Sequence, residues 1–263
     1  TCALPIYNSL NNIKVNKNIL ATLYKKEMKI FFNIPVYVIN VIVGPILSVI
    51  ASILIIYNMN NLKEFFFSSF NASEVNNYIM ILLSLIIILC NSATSSSSSS
   101  ISIEGKSFWI IKSSPVRTKD ILHSKALVNG TIVMPFAFIS LIISYILIKP
   151  DFIYLILTIF LVFIVIVGES YFGLFANVLL PKFDYDSYAK VIKQSGAVLL
   201  NMVFTFVFAL FLFFVFIVLL VLLSEVSYSA IILISILLLL AIIYMIISVI
   251  LVYTKGIKRY NLL

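Results

Sequence analysis

Apolar residues recur in runs longer than 18 along this chain of 263 residues. A helix of that length crosses roughly 30 Å of hydrocarbon. Lipid offers the backbone no water, so each run must satisfy its own N–H and C=O groups, which a single segment does by becoming a helix. A spanning β-barrel would instead show segments of about ten residues with alternating polarity, and the sequence has none. The composition agrees: 62% of residues are hydrophobic and 11% charged, too few charges to cover a soluble domain of this apolarity. The fold class expected is an all-α membrane protein, with six transmembrane helices preceded by an amphipathic interfacial helix.

The spans are expected near 34–57, 78–95, 127–148, 152–175, 197–223 and 230–253. Ahead of them, residues 18–32 place Leu20, Leu23, Tyr24, Met28 and Phe31 on one side of a helical wheel and Lys25, Lys26 and Lys29 on the other. That is the pattern of a helix lying on a membrane surface. Glu27 falls on the apolar side, where it interrupts the pattern and offers a contact to a partner protein. The serine run at 95–100 reads as a flexible exit from the second span. The chain opens on Thr1, and residues 1–6 resemble one translated frame of a sequencing adapter, so they are set aside from fold reasoning. The expected organisation is then a cytoplasmic N-terminal segment at 7–33 and a six-span domain at 34–263.

Lysine and arginine orient the bundle, because cytoplasmic loops carry them in excess. With the N-terminus inside, sixteen fall on the cytoplasmic side and two, Lys63 and Lys149, outside. Both termini are therefore expected in the cytoplasm. The net charge of +8 sits between spans and suits anionic lipid rather than nucleic acid. Phe65, Phe66, Phe67 and Phe70, in the longest outer loop, are read as resting on the bilayer interface.

Catalytic motifs are missing from the sequence. There is no Gly-x-x-x-x-Gly-Lys-Ser/Thr, Gly-x-Ser-x-Gly or His-Glu-x-x-His. Cys2 and Cys90 form no disulfide framework and no metal set, and His123 reads as a surface residue. The chain is expected to be no enzyme and to hold no metal or cofactor. Glu169 is the one acid inside a span, and a charge there by default marks function. With Gly173 and Asn177 it shares a helix face, which suits either helix packing and loop anchoring or a transport path. Asn40, Gly44, Ser48 and Ser52 line a similar face of the first span, and Asn201, Thr205 and Ala209 one of the fifth. Small and polar residues at this spacing let helices approach closely.

The segment 102–125 mixes Phe108, Trp109, Ile110, Ile111 and Ile121 with basic residues. It reads as a short amphipathic piece, a turn at Ser114-Pro115, and a second helix from near Thr118. Either it lies at the headgroups, or it docks a cytoplasmic partner. The string Glu104-Gly-Lys-x-Phe-Trp-Ile-Ile-Lys-Ser-x-Pro115 resembles the cytoplasmic loop of type-2 class bacterial ATP-binding-cassette exporter permeases. Leu180-Pro-Lys-Phe-Asp-Tyr-Asp186 with Val191-Ile-Lys-Gln-Ser195 resembles the loop between their fourth and fifth spans. Tyr24-Lys-Lys-Glu-Met-Lys-Ile-Phe-Phe-Asn-Ile-Pro35 resembles their lead-in helix. Ile103 and Ser114 depart from that pattern, where a basic residue and a leucine are usual.

More narrowly, the chain resembles the C-terminal half of the large exporters of Gram-positive anaerobes, which implies a missing N-terminal half or a second permease copy. The resemblance further implies a permease in the bacterial cytoplasmic membrane, working by alternating access with a separate cytoplasmic P-loop ATPase that holds ATP and Mg. It places ATPase docking on Glu104, Gly105, Lys106, Phe108, Trp109, Lys112 and Pro115, with a second contact at Lys25, Lys26 and Glu27. The alternatives are an ion-coupled transporter or channel, or a membrane-embedded enzyme or assembly factor.

Overall fold

The computed structural model describes residues 18–59, 61, 63, 74–223, 226 and 228–263. Residues 1–6, Cys2, Lys14, Lys17 and the phenylalanines at 65, 66, 67 and 70 lie outside the described residues. Among the described residues, six helices are long and apolar enough to cross a membrane. They are α2 (Pro35–Tyr57), α3 (Val75–Ser92), α5 (Thr118–Ile148), α6 (Phe152–Leu179), α8 (Gly196–Leu222) and α9 (Ser229–Leu251). Among the described residues, four shorter α-helices gather at one end of the bundle: α1 (Ile19–Asn33), α4 (Phe108–Lys112), α7 (Tyr188–Gln194) and α10 (Ile257–Leu262).

Local chemistry sets the helix ends. Asn18 Oδ1 accepts from the Ala21 amide and caps α1, and Ser195 Oγ accepts from the Val198 amide to cap α8. Ile34 is extended because the following Pro35 disfavours helical backbone before it, and Pro35 then opens α2. Lys149 ends α5 in the left-handed conformation, at φ 55°. Across that tight turn Asp151 and Asn77 exchange two hydrogen bonds, the Asn77 amide donating to Asp151 Oδ2 at 2.9 Å and the Asp151 N–H donating to Asn77 Oδ1 at 3.0 Å. Glu74 Oε2 accepts the Ala230 N–H at 2.8 Å and so satisfies the first turn of α9.

Helix α3 forms the axis. Tyr78, Ile79, Met80, Ile81, Leu83, Ile87 and Ile88 are all buried, so apolar side chains surround it on every side. By contrast α2 and α8 leave broad apolar stripes on the surface, among them Ile39, Val43, Ile46, Val203, Val207 and Phe214. On helices of this length such stripes face acyl chains.

Two features differ most from the sequence reading. The third span was expected at 127, but α5 begins at Thr118 and absorbs the separate helix expected there. Its first turns pack Ile121, Leu122, Lys125 and Ala126 inside the protein, so their polar groups never meet lipid. The lead-in helix α1 also turns its apolar side inward. Leu23, Glu27 and Phe31 are buried, and Tyr24 donates to Thr131 Oγ1 on α5 at 3.1 Å.

Candidate functional site

The chain leaves helical geometry after α3, and the serine run does not form a flexible exit. All six residues of 95–100 are buried. Irregular backbone at this depth needs partners from the protein itself, and asparagines on the neighbouring spans supply them. Asn129 Oδ1 accepts from the Ser96 amide at 2.8 Å and from its hydroxyl at 3.1 Å, while Asn129 Nδ2 donates to Ser170 Oγ. Asn177 Oδ1 accepts from the Ile101 and Ser102 amides at 2.7 and 3.2 Å, and its Nδ2 donates to Ser102 Oγ. The Tyr37 hydroxyl donates to the Ser96 carbonyl. Serine suits this segment because each side chain is small and can bond back to the chain, as Ser98 does to Ser95 O and Ser100 to Ser97 O. Gly173 allows the approach of α6: a Cβ there would fall 2.9 Å from Ser95 Oγ. The face shared by Gly173 and Asn177 is thus a loop-anchoring face.

Beyond the serines lies a buried charge cluster. Lys125 Nζ, on α5, donates to Glu27 Oε2 at 2.9 Å, to Glu104 Oε1 at 2.7 Å and to the Ser100 carbonyl at 3.0 Å. Its side chain is 0% exposed and those of both glutamates are 6% exposed. Lys26, more exposed, reaches Glu104 at 3.1 Å and Glu27 at 3.4 Å. Two carboxylates and two ammoniums cancel. Charges removed from water to this degree are tolerable only when paired and hydrogen-bonded. Burial pushes the Glu104 carboxyl up, but Lys125 and then Lys26 outweigh it and hold the group below its ordinary range.

Glu104 sits in a 3-10 turn, Ser102–Ser107, that leads into α4. Gly105 reverses the chain there at φ 51°, and a Cβ would meet the Tyr185 ring. Tyr185 donates to the Ile103 carbonyl at 2.6 Å. Phe108 is stacked on Phe183, with ring centroids 4.7 Å apart, and meets the edge of Tyr260. The loop after α6 therefore clamps the loop after α3. Within the same turn of α4 the opposite side is displayed: Trp109 is 66% and Ile110 56% exposed, and Lys106, Lys112 and Pro115 are exposed around them. Lys25 and Lys26 present their ends on the adjacent α1. A cavity of about 430 Å³ opens between the two elements, walled by Leu23, Ile30, Ile103, Ile110 and Tyr188.

The expected docking residues thus divide. Lys106, Trp109, Lys112, Pro115, Lys25 and Lys26 share a surface. Glu104, Gly105, Phe108 and Glu27 lie beneath it and hold it in shape, so a direct contact from the two glutamates is revised to an internal one. Lys125 and Asn129 escaped the sequence reading as site residues, whereas Asn177 lay on a face read as suiting loop anchoring. Glu27 on the apolar side of α1 was the legible signal of a buried cation. His123 is not a surface residue: it is half-buried between α5 and α6, its Nδ1 hydrogen-bonded to the Tyr171 hydroxyl. Glu169 is 4% exposed, with Oε1 unpaired among the described residues, and lies apart from the charge cluster beside Tyr244.

The ABC-2 type transporter family matches residues 19–187, from the start of α1 to the loop before α7. No curated protein and no solved structure matches the chain.

Proposed function

This chain belongs to the ABC-2 type transporter family, and we propose that it is the membrane-spanning permease component of an exporter driven by a separate cytoplasmic P-loop ATPase. Permease domains of this family generally work with such a partner. The observation that carries the reading is the Lys125 cluster beneath the Trp109 surface. A push on α4 has a stiff route inward, because the Glu104–Lys125 and Glu27–Lys125 pairs tie the loop and α1 to the first turns of one span. Alternating access needs such a rigid connection between a moving partner and the spans. ATP and Mg belong to the partner; this chain supplies the surface and the path.

The basic residues orient the bundle, with α1, α4, α7 and α10 on the cytoplasmic side and Lys63 and Lys149 outside. An exposed tryptophan and isoleucine ringed by lysines have the form of an interface that concentrates its energy at an apolar anchor. Trp109→Ala with Ile110→Ala should abolish co-purification of the ATPase and its transport-linked ATP hydrolysis while the permease melts normally. Retained partner and unchanged hydrolysis would remove the docking role from this loop.

A further inference from the structure

Two hollows flank one ridge on the outer surface of α5. The first, about 270 Å³, lies between α5 and α6, with Gly130, Met134, Phe163 and Val167 along it and His123 and Tyr171 at its basic end. The second, about 370 Å³, lies between α5 and α1, walled by Leu20 and Tyr24. Leu127 and Thr131 border both. From His123 to Met134 the helix rises about 16 Å, close to the roughly 15 Å hydrocarbon depth of one leaflet.

The walls ask for an apolar occupant. Thr131 bonds the Leu127 and Val128 carbonyls and accepts from Tyr24, while Ser170 bonds the Ile166 carbonyl and accepts from Asn129. No hydroxyl in the walls is left wanting a partner. Gly130 keeps the floor open, since a Cβ there would meet only the flexible end of Met134. The mouth asks for an anion. Tyr171 engages His123 Nδ1, leaving Nε2 for a ligand, and the exposed Lys119 lies one turn earlier on the same helix face.

We propose that the paired groove holds the two acyl chains of one anionic glycerophospholipid astride the Leu127–Thr131 ridge, its phosphate at His123 and Lys119. The lipid lies against α5, α6 and the Leu20–Tyr24 side of α1, apart from Trp109. Its binding therefore needs no ATPase and stands or falls separately from the docking reading.

The test is photolabelling of the whole chain, reconstituted in phosphatidylcholine vesicles doped with phosphatidylglycerol that carries a diazirine on one acyl chain. Label is expected on 123–134 and 163–171 at about tenfold the level on the bare surface of α8, the ratio that 1.4 kcal/mol of preference produces. Gly130→Leu should fill the floor and remove the groove label without changing that on α8. Lys119→Ala should cost about fivefold in competition by unlabelled phosphatidylglycerol, the worth of one cation at a membrane surface. Equal label on the groove and on α8, or groove label that survives Gly130→Leu, would mean annular lipid only and overturn the proposal. So would equal competition by phosphatidylcholine and phosphatidylglycerol. Should Gly130→Leu fail to fold, the wild-type ratio and the lipid competition decide by themselves.

Discussion

Glu27 and Glu104 are buried against Lys125, whereas Glu169 is buried just as deeply with no cation beside it among the described residues. The first site spans three segments that are far apart in the chain and joins them at one ammonium. With Lys26 counted its charges sum to nothing, so the cluster behaves as a bolt: each member is needed because the others are there. Glu169 belongs to one helix, in a wall of Gly168, Tyr244 and the apolar faces of α6 and α9. Removing it leaves no opposite charge stranded. The same residue type in the same bundle thus serves as a structural tie in one place, and in the other keeps a free oxygen whose cost no contact repays. Burial alone does not tell the two roles apart; the partner does.

Breaking the bolt should have the largest effect. Lys125→Met leaves two buried carboxylates with only the more exposed Lys26 and should cost about 3–5 kcal/mol, the usual penalty for removing one member of a buried ion pair. The melting temperature of the purified protein in detergent measures it. Replacing Glu27, Glu104 and Lys125 together by methionine should recover most of that loss, since apolar side chains of similar volume replace buried ion clusters at little net expense. A Lys125→Met protein that melts like the wild type would show that the cluster bears no load. The cluster also carries a pH signature. The Glu104 carboxyl titrates below its unfolded value, so its contribution is complete above that value and fades as pH falls through the folded one. Acid should therefore loosen α1 and the 3-10 turn from α5, and in the triple methionine protein this loosening should disappear.

Asn177 tests the rest of the anchored loop at a smaller scale. Asn177→Ala leaves the Ile101 and Ser102 amides without their acceptor, at about 2–3 kcal/mol for buried groups left unpaired. The readout that separates this from general destabilisation is hydrogen exchange. Protection should drop at 95–102 while the α3 axis keeps its own. Uniform loss across the bundle would mean that Asn177 merely packs.

The long apolar runs made the six spans legible, because no other structure lets such runs meet lipid. The amphipathic pattern of α1 was legible too, but it was read as facing lipid, and only the misplaced Glu27 hinted that this side packs on protein. The serine run was misread for a physical reason. Composition treats consecutive serines as solvated and mobile, yet a buried hydroxyl needs only a carbonyl three residues back, and a buried amide only an acceptor from elsewhere. Those acceptors, Asn129 and Asn177, lie 33 and 76 residues along the chain from the amides they bind at Ser96 and Ile101; the face of Asn177 suits loop anchoring, but nothing in the local pattern says which amides either asparagine meets. Lys125 was hidden by the same distance. It was counted as a loop cation because it precedes the apolar part of its span, whereas its partners come from α1 and from the turn at Glu104.

Glu169→Gln should have the smallest effect on stability, and it sharpens the comparison most. Glutamine keeps the shape and removes the acid. With no cation to strand, the change should move stability by less than about 1 kcal/mol in either direction, within the ordinary range for a substitution that breaks no network. Transport is then the informative measurement. An acid kept inside a span without a structural partner is retained for function by default, so Glu169→Gln should lower transport in reconstituted vesicles while abundance and melting stay near wild type. A fall in melting temperature comparable to that of Lys125→Met would instead reveal a structural partner and make Glu169 a second bolt. Unchanged transport together with unchanged stability would show that the bundle simply tolerates the acid at this position.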